Sequence, residues 1–274
     1  MKNQEFEQRI EKYLKRQFGI TISAASKRQV YEALMSTVRE KLSEKKFAYE
    51  QELKKTKQKR AYYMSMEFLV GRTLRNNLFN LGIEKETKEY LEKNNFNLDE
   101  IYDIEPDPGL GNGGLGRLAS CYLDALTSSD YPVTGFSILY EYGIFKQVIN
   151  NGWQQEFPDY WLDLGKYGLV YRNDEEIEVR FYGHVEEKMT EDGFKVEHKD
   201  YTSIQAEPYD LLISGYKTKT VNTLRLWEAK AKTGFNMKLF ERGEYSKSSE
   251  AEAIASSISK LLYPADSTNE GKEL

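Results

Sequence analysis

Apolar residues recur at helical spacing over residues 5–18, where Phe6, Ile10, Tyr13 and Leu14 share one face and Gly19 supplies a stop. A second helix is predicted after Ser26, with Val30, Leu34, Val38 and Leu42 at every fourth position. The lysine-rich stretch 41–60 reads as a solvated helix face and loop. The texture then changes: residues 61–69 are aromatic and apolar and suit a buried strand. Helical pattern returns over about 73–81, and again over 115–127, where Leu115, Leu118, Ala119, Tyr122 and Leu126 fall on one face. Residues 133–140 read as a strand and about 165–216 as β-rich, with Asp192-Gly193 as a hairpin turn. Near the end, Ser249-Glu250-Ala251-Glu252 has the capping-box pattern. The helix that it opens turns Ile254, Ile258 and Leu261 inward and stops at Pro264. The alternation predicts an α/β fold. Its parts are a helical start over about 1–60, an α/β part over about 61–164, a β-rich part over about 165–220 and a helical end over about 221–274.

Composition changes this picture only at its edges. A chain of 274 residues can bury a sizeable core as one large or two small domains. A net charge of −5 argues against a broad nucleic-acid-binding face. No apolar run approaches the roughly 18 residues that a membrane span needs, and the polar start has no signal-peptide stretch. The single cysteine, Cys121, can form no internal disulfide, so a reducing, cytoplasmic setting is expected. Aromatic residues are plentiful at 13 %, yet rings serve cores and clefts more often than sugars. His184 and His198 lie in the β-rich part and read as surface residues. Neither is placed to activate Cys121 as a nucleophile.

The candidate chemistry sits at Gly109-Leu110-Gly111-Asn112-Gly113-Gly114-Leu115-Gly116-Arg117-Leu118. Five glycines in eight residues permit positive φ and close approach of another group to the backbone. The run enters a helix directly, whose first-turn N–H groups lack intrahelical partners and whose dipole is positive there. Arg117 adds a permanent cation. The physical reading is a loop that receives phosphate or another oxyanion. Gly111, Gly113 and Gly116 also fit the dinucleotide pattern G-x-G-x-x-G, but the two prolines in Ile104-Glu105-Pro106-Asp107-Pro108 argue against the buried strand that this pattern needs. No Lys-Ser or Lys-Thr follows, so it is not a Walker A loop. A tight turn that happens to be rich in glycine remains open.

The segment 109–119 is similar to the glycine loop of the α-glucan phosphorylases, the glycogen, starch and maltodextrin enzymes. The resemblance extends to Tyr62-Tyr63-Met64-Ser65-Met66-Glu67-Phe68-Leu69-Val70-Gly71-Arg72, Tyr140-Glu141-Tyr142-Gly143-Ile144-Phe145, Pro208-Tyr209-Asp210, Val221-Asn222-Thr223-Leu224-Arg225-Leu226-Trp227 and Leu262-Tyr263-Pro264. It runs in order from about residue 28 onward. It implies the N-terminal, Rossmann-like portion of a GT-B-type fold of two facing domains. The implied reaction is phosphorolysis of a terminal α-1,4-linked glucose to glucose 1-phosphate with retained configuration. Pyridoxal 5'-phosphate, held on a lysine, is the implied cofactor, and a cytoplasmic homodimer the implied assembly, with the helix over about 249–262 near the partner.

Carried over residue by residue, the resemblance puts the N–H groups of Gly113 and Gly114 at the substrate phosphate and departing sugar, and Leu115 at the glucosyl unit. Glu67 would lie near the sugar, and Gly114 and Arg117 near the cofactor. Tyr63 has a core role, and Tyr263 and Asp266 open a gate loop. Two positions depart from the pattern: Leu69 stands where many animal members have tyrosine, and Ser267 where asparagine is common. The cofactor lysine, the cationic phosphate cluster and the sugar-site histidine belong to later motifs that this chain does not contain. The expectation is therefore an inactive front portion, without bound cofactor or catalytic residues of its own. The acidic first helix also lacks the basic phosphorylatable extension of animal members. A non-catalytic glucan-binding or dimerisation module is the alternative.

Overall fold

The computed structural model describes residues 2–232, 234–263 and 269. In chain order it shows helices α1 (Lys2–Phe18) and α2 (Lys27–Thr56), strand β1 (Ala61–Met64), and helices α3 (Leu74–Asn80), α4 (Glu84–Lys93), α5 (Leu98–Tyr102) and α6 (Gly114–Ser128). Strands β2 (Val133–Ile138), β3 (Gly143–Asn150), β4 (Trp153–Asp159), β5 (Leu169–Tyr171), β6 (Ile177–Phe181), β7 (His184–Thr190), β8 (Gly193–Lys199), β9 (Thr202–Ser214) and β10 (Val221–Ala231) follow. The short helices α7 (Met237–Glu241), α8 (Tyr245–Ser248) and α9 (Glu250–Ser257) close it.

The two opening helices form as their patterns predict. Phe6, Ile10 and Leu14 are buried, and Gly19 turns the chain at a φ of 70°. Ser26 caps α2 with a full capping box: its hydroxyl accepts from the Gln29 N–H while the Gln29 side chain accepts from the Ser26 N–H. Val30, Leu34, Val38 and Leu42 face the core.

The central sheet runs β1-β2-β10-β9-β5, with β6 also pairing β9. Strands β1, β2 and β10 are mutually parallel, while β9 runs antiparallel to β10, β5 and β6. Alternation along the two long strands sends side chains to opposite faces. Leu212 and Val221 join α1 and α2 in one core, whereas Leu211 and Leu224 join Phe68, Ala119 and Leu123 in another. The sheet is thus sandwiched between α2 and α6, which is a mixed α/β arrangement.

Several expectations are corrected. Residues 61–69 do not form a buried strand. β1 is a four-residue edge strand with Tyr62 67 % and Met64 82 % exposed, because it has a neighbour on one side only. The apolar face expected on α6 is only partly its core face. Gly116, Ala119, Ser120, Leu123 and Thr127 are buried and Leu126 is half-buried, while Leu115, Leu118 and Tyr122 are exposed; at Gly116 the approach of Glu67 and Leu69 leaves no room for a side chain.

The part expected to be helical from 221 begins instead with β10, an interior strand of the sheet, whose run of β-branched and apolar residues suits burial on both faces. At α9 the Ser249 side chain makes no capping bond, Ile254 and Ile258 are exposed, and Ala255 is the buried contact. Pro264 lies outside the described residues. The 191–192 turn joins β7 to β8 one residue earlier than expected.

The basic stretch is not uniformly solvated. Lys46, in the middle of α2, reaches the Thr223 hydroxyl on the sheet, and burial pushes its pKa down. Beside it on that face, Arg225 donates to both carboxylate oxygens of buried Asp210, at 2.8 and 3.0 Å.

Candidate functional site

The glycine loop lies at the carboxyl ends of β1 and β2, where α/β sheets leave a crevice for ligands. Its position is set by the strand-exit segment 65–69. Ser65 N–H continues the ladder to Phe136 O at 3.1 Å. The chain then turns so that Phe68 N–H donates to Leu110 O (2.8 Å) and Leu69 N–H to Gly116 O (3.0 Å). Phe68 is fully buried and anchors this crossing. Tyr140 and Trp161 brace it from behind: the Tyr140 hydroxyl donates to Met66 O at 3.1 Å, and the Trp161 indole N–H to Tyr140 O at 3.0 Å. Burial pushes the Tyr140 phenol up to about 12, with the nearby Glu67 and Tyr263 adding to the effect.

None of the loop's five glycines adopts a positive φ, so left-handed backbone is not what the sequence needs them for. Close approach explains three. A Cβ on Gly109 would stand 2.6 Å from Gly143 Cα, one on Gly111 2.7 Å from the Leu69 nitrogen, and one on Gly116 2.8 Å from a Glu67 carboxylate oxygen. Gly113 and Gly114 differ: a Cβ there would meet nothing within 4 Å. Nothing inside the described chain demands glycine at these two positions, and their backbone faces open space.

Glu67 is almost fully buried against the loop. Its Oε2 accepts from the N–H of Asn112 (2.9 Å) and of Gly113 (3.3 Å), and its Oε1 accepts from the Tyr263 hydroxyl. Burial alone would raise the carboxyl pKa. The Tyr263 hydroxyl and the N–H groups of Asn112, Gly113 and Gly116 outweigh it and hold the pKa below the ordinary value. Glu67 forms no ion pair among the described residues. It serves instead as a capping group from outside the helix, because Gly113 at the N-cap has no side chain to do so. Helix α6 begins with Arg117 N–H bonded to Gly113 O at 3.0 Å. The N–H groups of Gly114 and Leu115 have no partner among the described residues.

Arg117 is exposed, makes one long contact to Leu69 O at 3.4 Å, and forms no ion pair among the described residues. Tyr263 is carried back to the loop by the segment that precedes it, which pairs through Glu141 N–H to Ser259 O (2.9 Å) and Tyr142 N–H to Lys260 O (3.0 Å). The fold therefore gathers Glu67, Gly113, Gly114, Leu115, Arg117 and Tyr263 around one helix start. Asp266 and Ser267 lie outside the described residues. Tyr63 is half-buried in an aromatic cluster with Phe68 and Tyr122.

The family model of the carbohydrate phosphorylases matches residues 91–274, about two thirds of the chain. The chain belongs to the carbohydrate phosphorylase family. A glycogen phosphorylase of Chlamydia pneumoniae is 43 % identical over 252 residues, covering 92 % of this chain and 31 % of that protein. The human brain-form and muscle-form glycogen phosphorylases are each 42 % identical over 252 residues, covering 92 % of this chain and 29 % and 30 % of their own length. This phosphorylase chain thus spans under a third of each of these curated relatives. Three supports of its loop carried no signal in the sequence: the Asn112 N–H, Tyr140 and Trp161. Their roles depend on contacts between residues distant along the chain. The Asn-Gly pair at 151–152, a sequence signal for a type I′ hairpin turn, has positive φ at both residues and joins β3 to β4.

Proposed function

We propose that this chain is the front portion of an α-1,4-glucan phosphorylase, which transfers a terminal glucosyl unit of glycogen or maltodextrin to inorganic phosphate and releases glucose 1-phosphate. The observation that carries the reading is the helix start at Gly113–Gly114: backbone without side chains beside open space, with the N–H groups of Gly114 and Leu115 unpartnered among the described residues at the positive end of a fifteen-residue helix. A phosphate or sugar oxygen can approach that backbone as closely as the three packed glycines approach their protein neighbours.

In this reading Gly113 gives space rather than a hydrogen bond, since its N–H is held by Glu67. The N–H groups of Gly114 and Leu115 receive the ligand oxygen, and the exposed Leu115 side chain lies over the glucosyl unit. Arg117 adds positive charge on the first turn. Tyr263 covers the entrance, and Asp266, which lies outside the described residues, is read as part of the same gate segment. The parent is read as a GT-B-type enzyme of two Rossmann-like domains, with 1–274 as the incomplete first. It is further read as a cytoplasmic homodimer that contacts its partner through residues 249–262. No helix among the described residues is long and apolar enough to cross a membrane.

Pyridoxal 5'-phosphate fits the bare helix start, where Gly114 and Arg117 would hold its phosphate. When bound it would supply an acid–base phosphate group beside the substrate phosphate. Its lysine would come from outside this chain, whose residues contribute binding and orientation.

The test is to sequence past the codon for Leu274 and express the whole reading frame. Expected is phosphate-dependent release of glucose 1-phosphate from glycogen by the full product, and none by residues 1–274 alone. Turnover by residues 1–274, or a full product that releases no glucose 1-phosphate, would overturn the reading.

A further inference from the structure

We propose that Glu67 is the positioning residue of the glycine loop: a resident carboxylate that takes up the N–H groups of Asn112 and Gly113 and leaves those of Gly114 and Leu115 as the pair open to a ligand oxygen. This deepens the reading of the loop as one wall of a ligand site.

The argument starts from the donors. A helix start presents a cluster of N–H groups that any anion can bridge in several ways. Four consecutive groups, from Asn112 to Leu115, lie at this helix start, and an unassisted cluster would let an incoming oxyanion settle on any of them. Glu67 Oε2 removes the first two from that choice, at 2.9 and 3.3 Å. Its place is fixed by packing: it is 3 % exposed, and Gly116 has no side chain where the carboxylate stands. Its other oxygen is held by Tyr263, so its orientation is fixed from two directions.

The carboxylate also changes the electrostatics of the site. A negative charge beside the open pair repels a second anion and weakens what the helix start alone would bind. The loop therefore receives a phosphate well only when cations beyond Arg117 face it. Glu67 would thus set both where a ligand oxygen lands and how much of the work the loop can do alone.

The titratable groups around Glu67 are the phenols of Tyr263 and Tyr140; no cation pairs with it among the described residues. Because its pKa is depressed in the fold, the hold on the loop is present above the ordinary carboxylate range. It is lost as pH falls through the folded value.

The test is an NMR titration of the ¹⁵N-labelled chain from neutral pH to about pH 3, a range that spans ordinary glutamate ionisation. Expected is that the amides of Asn112 and Gly113 shift together, with one midpoint below that of an ordinary glutamate, and that this step disappears in Glu67→Gln. With inorganic phosphate as the probe at neutral pH, shifts should appear first at Gly114 and Leu115, and Glu67→Gln should bind it about tenfold more tightly. Amides of Asn112 and Gly113 that ignore pH in the unsubstituted chain, or that titrate unchanged in the variant, would overturn the proposal. Phosphate shifts centred on Asn112 and Gly113 would also overturn it. If the variant does not fold, the titration of the unsubstituted chain decides alone. Intact titration with no phosphate response in either protein would support the positioning role and count against the phosphate-site reading.

Discussion

Alanine at Gly111 is expected to cost the chain about 1–3 kcal/mol, and alanine at Gly114 no more than about 0.5 kcal/mol, although the two glycines stand three residues apart in one loop. The difference lies in what a single methyl group meets. At Gly111 it would press on the Leu69 nitrogen at 2.7 Å, which is backbone and cannot swing aside. That nitrogen also donates to Gly116 O, so relief of the clash would break the bond that ties the strand exit to the helix. Gly116→Ala should behave similarly, with the Glu67 carboxylate as the obstacle. At Gly113 and Gly114 the methyl would enter open space with no positive φ to forbid it, and a glycine-to-alanine change there restrains the unfolded chain. Chemical denaturation of the four variants measures this. If Gly114→Ala destabilises as much as Gly111→Ala, the space beside Gly114 is needed by the fold, and the argument for a ligand there fails.

Removing the Asp210 carboxylate as Asp210→Asn is expected to cost about 2–4 kcal/mol, because it leaves the largely buried Arg225 guanidinium with only the more exposed Glu175 as counter-charge. Asp210 is 2 % exposed and is gripped at both oxygens by Arg225, with Arg172 at 3.5 Å. An arginine guanidinium stays protonated at any working pH, so the charge cannot be shed to relieve the loss. Lys46 lies in the same cluster and would share the unbalanced charge. Glu175, which also contacts Arg225 and Arg172, is far more exposed, and Glu175→Gln should cost under about 1 kcal/mol. Equal losses for Asp210→Asn and Glu175→Gln in urea unfolding would show that the cluster is held by the surface pair instead.

What was legible in the sequence depended on how local its cause was. The first two helices follow from i, i+4 spacing and from Ser26, whose cap needs only Gln29 beside it. The glycine loop was legible as chemistry because five glycines, a helix start and Arg117 are consecutive. The grouping of Glu67 and Tyr263 with that loop came from resemblance, since no spacing rule links residues so far apart. Strand β1 was misjudged because an aromatic run reads the same at the edge of a sheet as in its middle. Helix α6 is apolar on both sides: Ala119 and Leu123 point inward and Leu115, Leu118 and Tyr122 outward, and only the approach of Glu67 and Leu69 at Gly116 decides which side meets the sheet. At β10 the error came from reading a boundary where the texture changed little, although the strand holds the whole sheet together.

That sheet combines two kinds of pairing whose assembly should differ in time. β9 and β10 are joined by a short turn and meet along eleven register pairs, from Val221–Ser214 to Ala231–Ile204. β2 must instead find β10 across most of the β-rich part of the chain, and β1 must find β2 across four helices. Closing short loops is fast, and long-range parallel pairing is slow. During refolding, the amides of Leu212 and Leu224 should therefore gain exchange protection before that of Gly135; simultaneous protection in pulse-labelling would refute this order. The crevice at the carboxyl ends of β1 and β2 is built by the slow pairings. The glycine loop should accordingly be the last part of the sheet region to take shape, after a hairpin that has no share in the candidate site.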